Sequence, residues 1–431
     1  DVNDVYLNGK LTILNGNVYV GQVAAPNNNN DIEYSGSGAS EIEIQGGSLV
    51  VNGQIRRNPS VTSGVLSYKQ SGGTVTINGN KANTSNAKLE VLNGGSTFNM
   101  SNGTLNIIRG GGGSTYGDLY LRPENSTVTG GTIVFSNNSL SGSTQNYLLD
   151  ATCNLNNLTI TGRNIATTAN ATVKLMVNPL TLNGDLTLSN AQSIFDANST
   201  YNINATIKGN FINNGIYNHY NNLTTFNGGV QTLSGSTATD FYDLNVSPVT
   251  NLTLSQSTTV LHDITLGNGT LICGTNYVYV KNNVVNNATY TNTNSTSGFV
   301  LNGTAQQHIS GTGTFGQLEL NNTNGSTLDN AITLNQDLIL TTGIFDINRY
   351  LLTLGVNSNL VAKGTPFGLS KMITSDGVWS AVGISKVFTS PLSTTFNYPL
   401  GTTSKYTPAV LTINSNGAVG SIRINNINNH H

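Results

Sequence analysis

Short runs that alternate apolar and polar residues, each ending at Asn-Gly or Gly-Gly, recur along this chain and limit its fold more than any other feature. Examples are Leu11-Thr12-Ile13-Leu14-Asn15-Gly16, Ser48-Leu49-Val50-Val51-Asn52-Gly53 and Thr74-Val75-Thr76-Ile77-Asn78-Gly79. Alternation with period two, bounded by turn residues, predicts half-buried β-strands. Asn-Gly after a strand is also a strong hairpin signal, so a meander of hairpins is an alternative for each segment taken alone. Helix-forming Ala-, Glu- and Lys-rich stretches are missing, and Asn, at about 15% of the chain, outnumbers even the 48 Gly. The expected class is all-β.

A longer repeat argues against the meander. Tyr242-Asp243-Leu244-Asn245-Val246, followed by His262-Asp263-Ile264-Thr265-Leu266, returns as Gly316-Gln317-Leu318-Glu319-Leu320, followed by Gln336-Asp337-Leu338-Ile339-Leu340. Leu244 recurs as Leu318 and Ile264 as Leu338, with the same offset in both cases. An earlier copy holds Asn157-Leu158-Thr159-Ile160 with Gly184-Asp185-Leu186-Thr187-Leu188. The interval from Leu158 to Leu244 is longer, so that copy carries an insertion. Strand clusters within a copy lie about 20 residues apart, the spacing of solenoid rungs, which predicts three or four rungs per repeat. One rung cannot bury its apolar side alone, whereas stacked rungs bury a continuous core. The expected architecture is a parallel β-helix (β-solenoid), right-handed by the general crossover preference. About 20 rungs would make a rod on the order of 90–100 Å long. Asn and Thr at like positions would form side-chain ladders between rungs.

Three regions are expected. Residues 1–149 read as irregular β-helix rungs, with loop insertions at Asn27 to Asn30 and Gly110 to Gly113. Residues 150–364 carry the regular repeats. Residues 365–431 hold four of the nine Pro and the only Trp, Trp379. They are expected to form a C-terminal β module or a cap, because an open solenoid end is an unpaired sheet edge.

Charge narrows the function. Charged residues are 9% of the chain and the net charge is −2. No basic stripe exists to neutralise a phosphate backbone, so nucleic acid is not an expected partner. The one basic pair, Arg56-Arg57, reads as a solvated loop before Pro59. Low net charge and 37% hydrophobic residues argue for order over disorder. Cys153 and Cys273, far apart along the chain, read as small buried hydrophobes, not a disulfide. No stretch approaches a transmembrane helix, so membrane insertion is not expected. The start at Asp1 and the ending Asn429-His430-His431 suggest a piece of a longer precursor.

The residues quoted resemble a known group. Gln231-Thr232-Leu233-Ser234-Gly235, Asp243-Leu244-Asn245-Val246 and Asp263-Ile264-Thr265-Leu266-Gly267-Asn268-Gly269-Thr270-Leu271 are similar to repeats of large secreted surface proteins of Bacteroidota. Ile373-Thr374-Ser375-Asp376-Gly377 and Phe396-Asn397-Tyr398-Pro399-Leu400-Gly401 with Tyr406-Thr407-Pro408 resemble a module that often follows such repeats. The resemblance covers roughly residues 150 to 413. It implies type IX secretion and a role as a cell-surface adhesin, sometimes in gliding. The C-terminal sorting domain of that group is not in this sequence.

Little points to chemistry. Gly311-Thr312-Gly313-Thr314-Phe315-Gly316 is a literal GxGxxG, but no helix pattern follows it, so it reads as a turn. HExxH, GxSxG, P-loop and calcium-repeat patterns are missing, and no cofactor or metal is expected, with adventitious calcium at the loops the alternative. Asp185, Asp263 and Asp337 share one repeat position, which predicts a common turn or cap role. Parallel β-helices include polysaccharide lyases and hydrolases, which need carboxylates converging on a groove. The best such set is Asp240, Asp243, His262 and Asp263, although the repeat position partly explains Asp243 and Asp263, and His262 is Gln in the next copy. Among 17 Tyr, the set Tyr217, Tyr220, Tyr277 and Tyr279 is the densest and the candidate for stacking on sugars. The first reading is an extracellular structural or adhesive rod without enzymatic activity, joined to the rest of a longer chain. Surface glycans and the secretion machinery are its candidate partners. The alternatives are a carbohydrate-active or sugar-binding β-helix and a subunit that stacks into fibres.

Overall fold

The computed structural model describes residues 4–21, 29–35, 38, 40–291, 297–376 and 382–426. Asn27, Asn28, Gly377, Trp379 and the terminal Asn429-His430-His431 lie outside the described residues. Every regular element among the described residues is a strand, and none is a helix. Along most of the chain successive strands do not pair with each other; each pairs in parallel with the strand one turn on, three strands later, and the exceptions are the short antiparallel pairs Arg163–Asn164 with Thr168–Ala169 and Leu400–Thr402 with Lys405–Tyr406. The parallel pairing makes the fold a parallel β-helix and excludes the hairpin meander. Internal contacts divide the chain into two compact units, residues 1–228 with 234–237, and residues 229–233 with 238–431.

In the first unit, Ile32, Ile55, Leu89, Leu119 and Leu149 stack in one inward column. Leu49, Val75, Leu105, Ile133 and Leu158 form another. All are buried, and alternate residues of strands such as Thr74–Ile77 and Thr104–Ile107 point outward. The turns are long. Thr76 and Asn106, paired on adjacent turns, have a sequence separation of 30. Asn99 and Thr127 have one of 28. The expected rung spacing is therefore too short for this unit. The extra residues build a second layer on one sheet. Its strands Ile32–Tyr34, Ile55–Arg57, Leu89–Val91 and Leu119–Leu121 are buried on both faces. Tyr120 of the last of these strands joins Ala87 and Leu92 in a small core against Tyr116.

The second unit keeps the short spacing. Leu244, Ile264 and Val284 stack in one column, and Leu252, Leu271 and Tyr290 in another. Beside the first column, Asp243 to Asp263 and Asp263 to Asn283 each have a sequence separation of 20. The long repeat, however, is not a whole number of turns. The strand of Leu318 lies eleven strands beyond that of Leu244. With three strands per turn that is three and two-thirds turns, neither three nor four. Leu244 consequently lies on the sheet of Ile264, and Leu318 on a different one, between Phe299 and Leu338. A repeat copy is thus moved by one face as well as along the axis. All three faces accept the same in–out pattern, so the core tolerates the offset. Cys153 and Cys273 are buried and unbridged, as expected.

The unit ends by changing pairing direction. Gly383–Phe388 adds in parallel to Leu351–Leu354 but pairs antiparallel with Gly420–Ile424. Leu400–Thr402 likewise adds in parallel to Ile373–Thr374 and turns back on Lys405–Tyr406. Thr394–Tyr398 and Ala409–Ile413 form a further antiparallel pair. Hairpins here replace the next turn.

Candidate functional site

The Asn and Asp richness has a concrete use at the corners. A residue entering a strand has a backbone N–H that must find an acceptor. Asp263 Oδ1 accepts the Asn283 N–H at 2.9 Å, one turn on. Asp185 Oδ1 does this for Asn210 and Asp337 Oδ1 for Asn359. The shared turn role expected for these three aspartates is what the structure shows. The device continues along one column of the second unit: Asp243 Oδ1 accepts from the Asp263 N–H, and Asn283 Oδ1 from the His308 N–H. The ladders thus run mainly from side chain to backbone. A direct Asn–Asn contact such as Asn78 to Asn52 is a variation on them.

Three members of the expected acidic set come together on this column. His262 Nδ1 lies 2.8 Å from Asp243 Oδ1 and 3.7 Å from Asp263 Oδ2. The imidazole is stacked on the Tyr242 ring at 4.8 Å and 6° between planes. One ligand atom from each of Asp243, His262 and Asp263 lies within 4.8 Å of the others. Asp240 is outside that group: it is exposed on the preceding strand, paired with Thr259 on another sheet. The trio stands on a half-exposed corner, and no groove closes over it among the cavities described.

The four tyrosines separate. Tyr217 turns inward, stacked on Phe195 at 5.5 Å and edge-on to Phe211, with its hydroxyl held by Thr224 at 2.7 Å. Burial pushes that phenol up to about 12. Tyr220 has φ of 48° and donates to Asp196 at 3.0 Å. Tyr277 and Tyr279 are on the outer face of one strand, half-exposed, with ring centroids 5.8 Å apart.

The first unit holds a charged seam that sequence reading missed. Arg56 and Arg57 belong to the strand Ile55–Arg57 and are 6% and 7% exposed, which corrects the solvated-loop expectation. Arg56 pairs with Asp31 at 2.7 Å and Glu33 at 2.5 Å, and Arg57 with Glu90 at 3.1 Å. Lys88–Asp118 and Arg122–Asp150 continue the seam. Burial holds Asp31, Glu33 and Asp118 above the ordinary carboxyl range, even beside these cations. Arg57 also lies 5.0 Å over the Tyr116 ring. The available signal was positional: in a chain with 9% charge, charged residues recur once per turn at 31 and 33, 56 and 57, 88 and 90, and 118. Elsewhere on this unit, Glu43, Lys69, Asn99 and Thr127 line an open groove of about 310 Å³.

The fold and these corners define the class as a parallel β-helix repeat protein whose polar residues largely bond its own turns together. Compared with known proteins, the chain matches no family model, no curated protein and no solved structure.

Proposed function

We propose that this chain is a structural or adhesive module of a larger cell-surface or secreted protein and has no enzymatic activity. One observation carries the reading. Where a histidine and two carboxylates converge, both carboxylates accept backbone N–H groups from the next turn. A general acid or base must be free to exchange a proton with substrate. These groups instead hold the helix together. The resemblance to adhesin repeats supports an extracellular place and export by type IX secretion, with surface glycans as the candidate ligands.

A second reading has its own support. Tyr277 and Tyr279 present two neighbouring aromatic rings on an outer face, a surface on which a sugar ring can lie. The two readings differ in turnover. The folded chain, incubated with neutral and acidic polysaccharides, should release neither reducing ends nor unsaturated uronates. Product release that disappears in Asp243→Asn would overturn the proposal. Glycan retention lost in a Tyr277→Ala/Tyr279→Ala variant would assign the binding face.

A further inference from the structure

We propose that Asp243, His262 and Asp263 form a surface site for a divalent transition-metal ion, with zinc the best fit. The two repeat copies of the second unit supply the control. The positions equivalent to Tyr242, Asp243, His262 and Asp263 hold Gly316, Gln317, Gln336 and Asp337 in the next copy. Both corners have the same backbone bonds. His262 N–H donates to the Tyr242 carbonyl at 3.0 Å, and Gln336 N–H to the Gly316 carbonyl at 3.3 Å. Leu244 N–H donates to the Asp263 carbonyl, and Leu318 N–H to the Asp337 carbonyl, at 3.0 and 3.1 Å. Asp337 still bonds the next turn through Asn359. The corner therefore folds without the histidine, the second aspartate or the tyrosine. Those three residues are replaceable in a corner of this kind, although Asp243 also bonds the next turn through Oδ1, and the meeting of a histidine with two carboxylates goes beyond what the backbone path requires.

Their chemistry favours a cation. Two carboxylates face one imidazole, and among the described residues His262 is the only ion-pair partner of either. Asp263 uses Oδ1 in the ladder and turns Oδ2 toward His262, whereas Asp243 presents to His262 the same Oδ1 that accepts the Asp263 N–H, an oxygen with a second lone pair for a cation. In a tetrahedral zinc site with bonds of about 2.1 Å, donor atoms are roughly 3.4 Å apart. The distances from His262 Nδ1, 2.8 and 3.7 Å, bracket that value. A metal would take the place of the Nδ1 proton between imidazole and carboxylate. One nitrogen with two carboxylate oxygens suits zinc or its transition-metal neighbours better than calcium or magnesium. Stacking on Tyr242 holds the imidazole plane, the part usually played by a supporting residue around a metal ligand.

The test is zinc titration by calorimetry on the full chain carrying His430→Ala and His431→Ala, since adjacent histidines bind zinc unaided. One zinc equivalent should bind, with affinity falling roughly ten- to hundred-fold or more in His262→Gln. That substitution installs the residue the other copy carries at 336, so the corner should still fold, and its melting curve without metal checks this. His308→Gln, which breaks another surface His–Asp pair, should bind zinc like the parent. Absence of saturable binding, or equal affinity in His262→Gln, would overturn the site. Neither result bears on whether the chain turns over polysaccharides.

Discussion

The two units build the same inward ladder and differ in what lies outside it. In the first, the long turns between Leu49 and Leu158 fold loops over one sheet and enclose charges. Arg56, Arg57 and Lys88 are buried there with their partners Asp31, Glu33, Glu90 and Asp118, and the most exposed of these side chains is that of Arg57, at 9%. In the second, the short turns leave many outer positions open. The basic members of its pairs, His262, His308 and Lys363, have side chains 40%, 49% and 58% exposed. Cover by a loop therefore separates a charge that is a structural element from one that is a surface group: on another sheet of the first unit, Lys10 and Lys69 pair with Glu41 and have side chains 52% and 41% exposed. Removing one partner of a buried pair strands its counter-charge in low dielectric, whereas an exposed partner is rehydrated.

Arg57→Ala should show the contrast most strongly. It leaves Glu90 buried without its cation and should destabilise the first unit by about 3–5 kcal/mol in urea unfolding. A loss below about 1 kcal/mol would show that the seam is hydrated and that the units do not differ in this respect. Next in size, Leu119→Ala in the first unit and Leu318→Ala in the second should each cost about 2–5 kcal/mol. Similar losses would support a common core mechanism; a much smaller one at Leu318 would mean that short turns pack loosely.

The pH response should be smaller and confined to the first unit. Burial raises the folded-state values of Asp31, Glu33 and Asp118, so the folded unit binds protons before the unfolded chain does. Its stability should rise as pH falls from neutral through those raised values, and stop rising at the ordinary carboxyl range. A thermal melt in which the midpoint of the first unit fell over that window would break the account. The smallest effect is expected at His308→Gln, which removes an exposed pair with Asp329 and should change the stability of the second unit by less than about 1 kcal/mol.

Particular residues show where sequence reading reached and where it stopped. The strands at Thr74–Ile77 and Asp243–Val246 were legible because alternation is a local property with one physical cause. The turn role of Asp185, Asp263 and Asp337 was legible because it recurs with the repeat. Arg56 and Arg57 were misread because the loops that cover them come from other turns, far along the chain. Tyr217 and Tyr279 look alike in sequence, yet one packs on Phe195 and the other faces outward, a matter of which side of its strand each occupies.

The sequence alone determined that the chain is all-β, that its strands stack in parallel and that one set of aspartates serves the corners. These follow from period, turn chemistry and repetition. Only the tertiary structure decided which face each strand occupies. The length of the long repeat does not reveal eleven strands at three per turn, so the one-face offset between repeat copies stayed hidden. The same holds for the meeting of Asp243, His262 and Asp263. Asp243 is separated from His262 and Asp263 by a whole turn of the helix, and they become neighbours only because that turn closes at just this length.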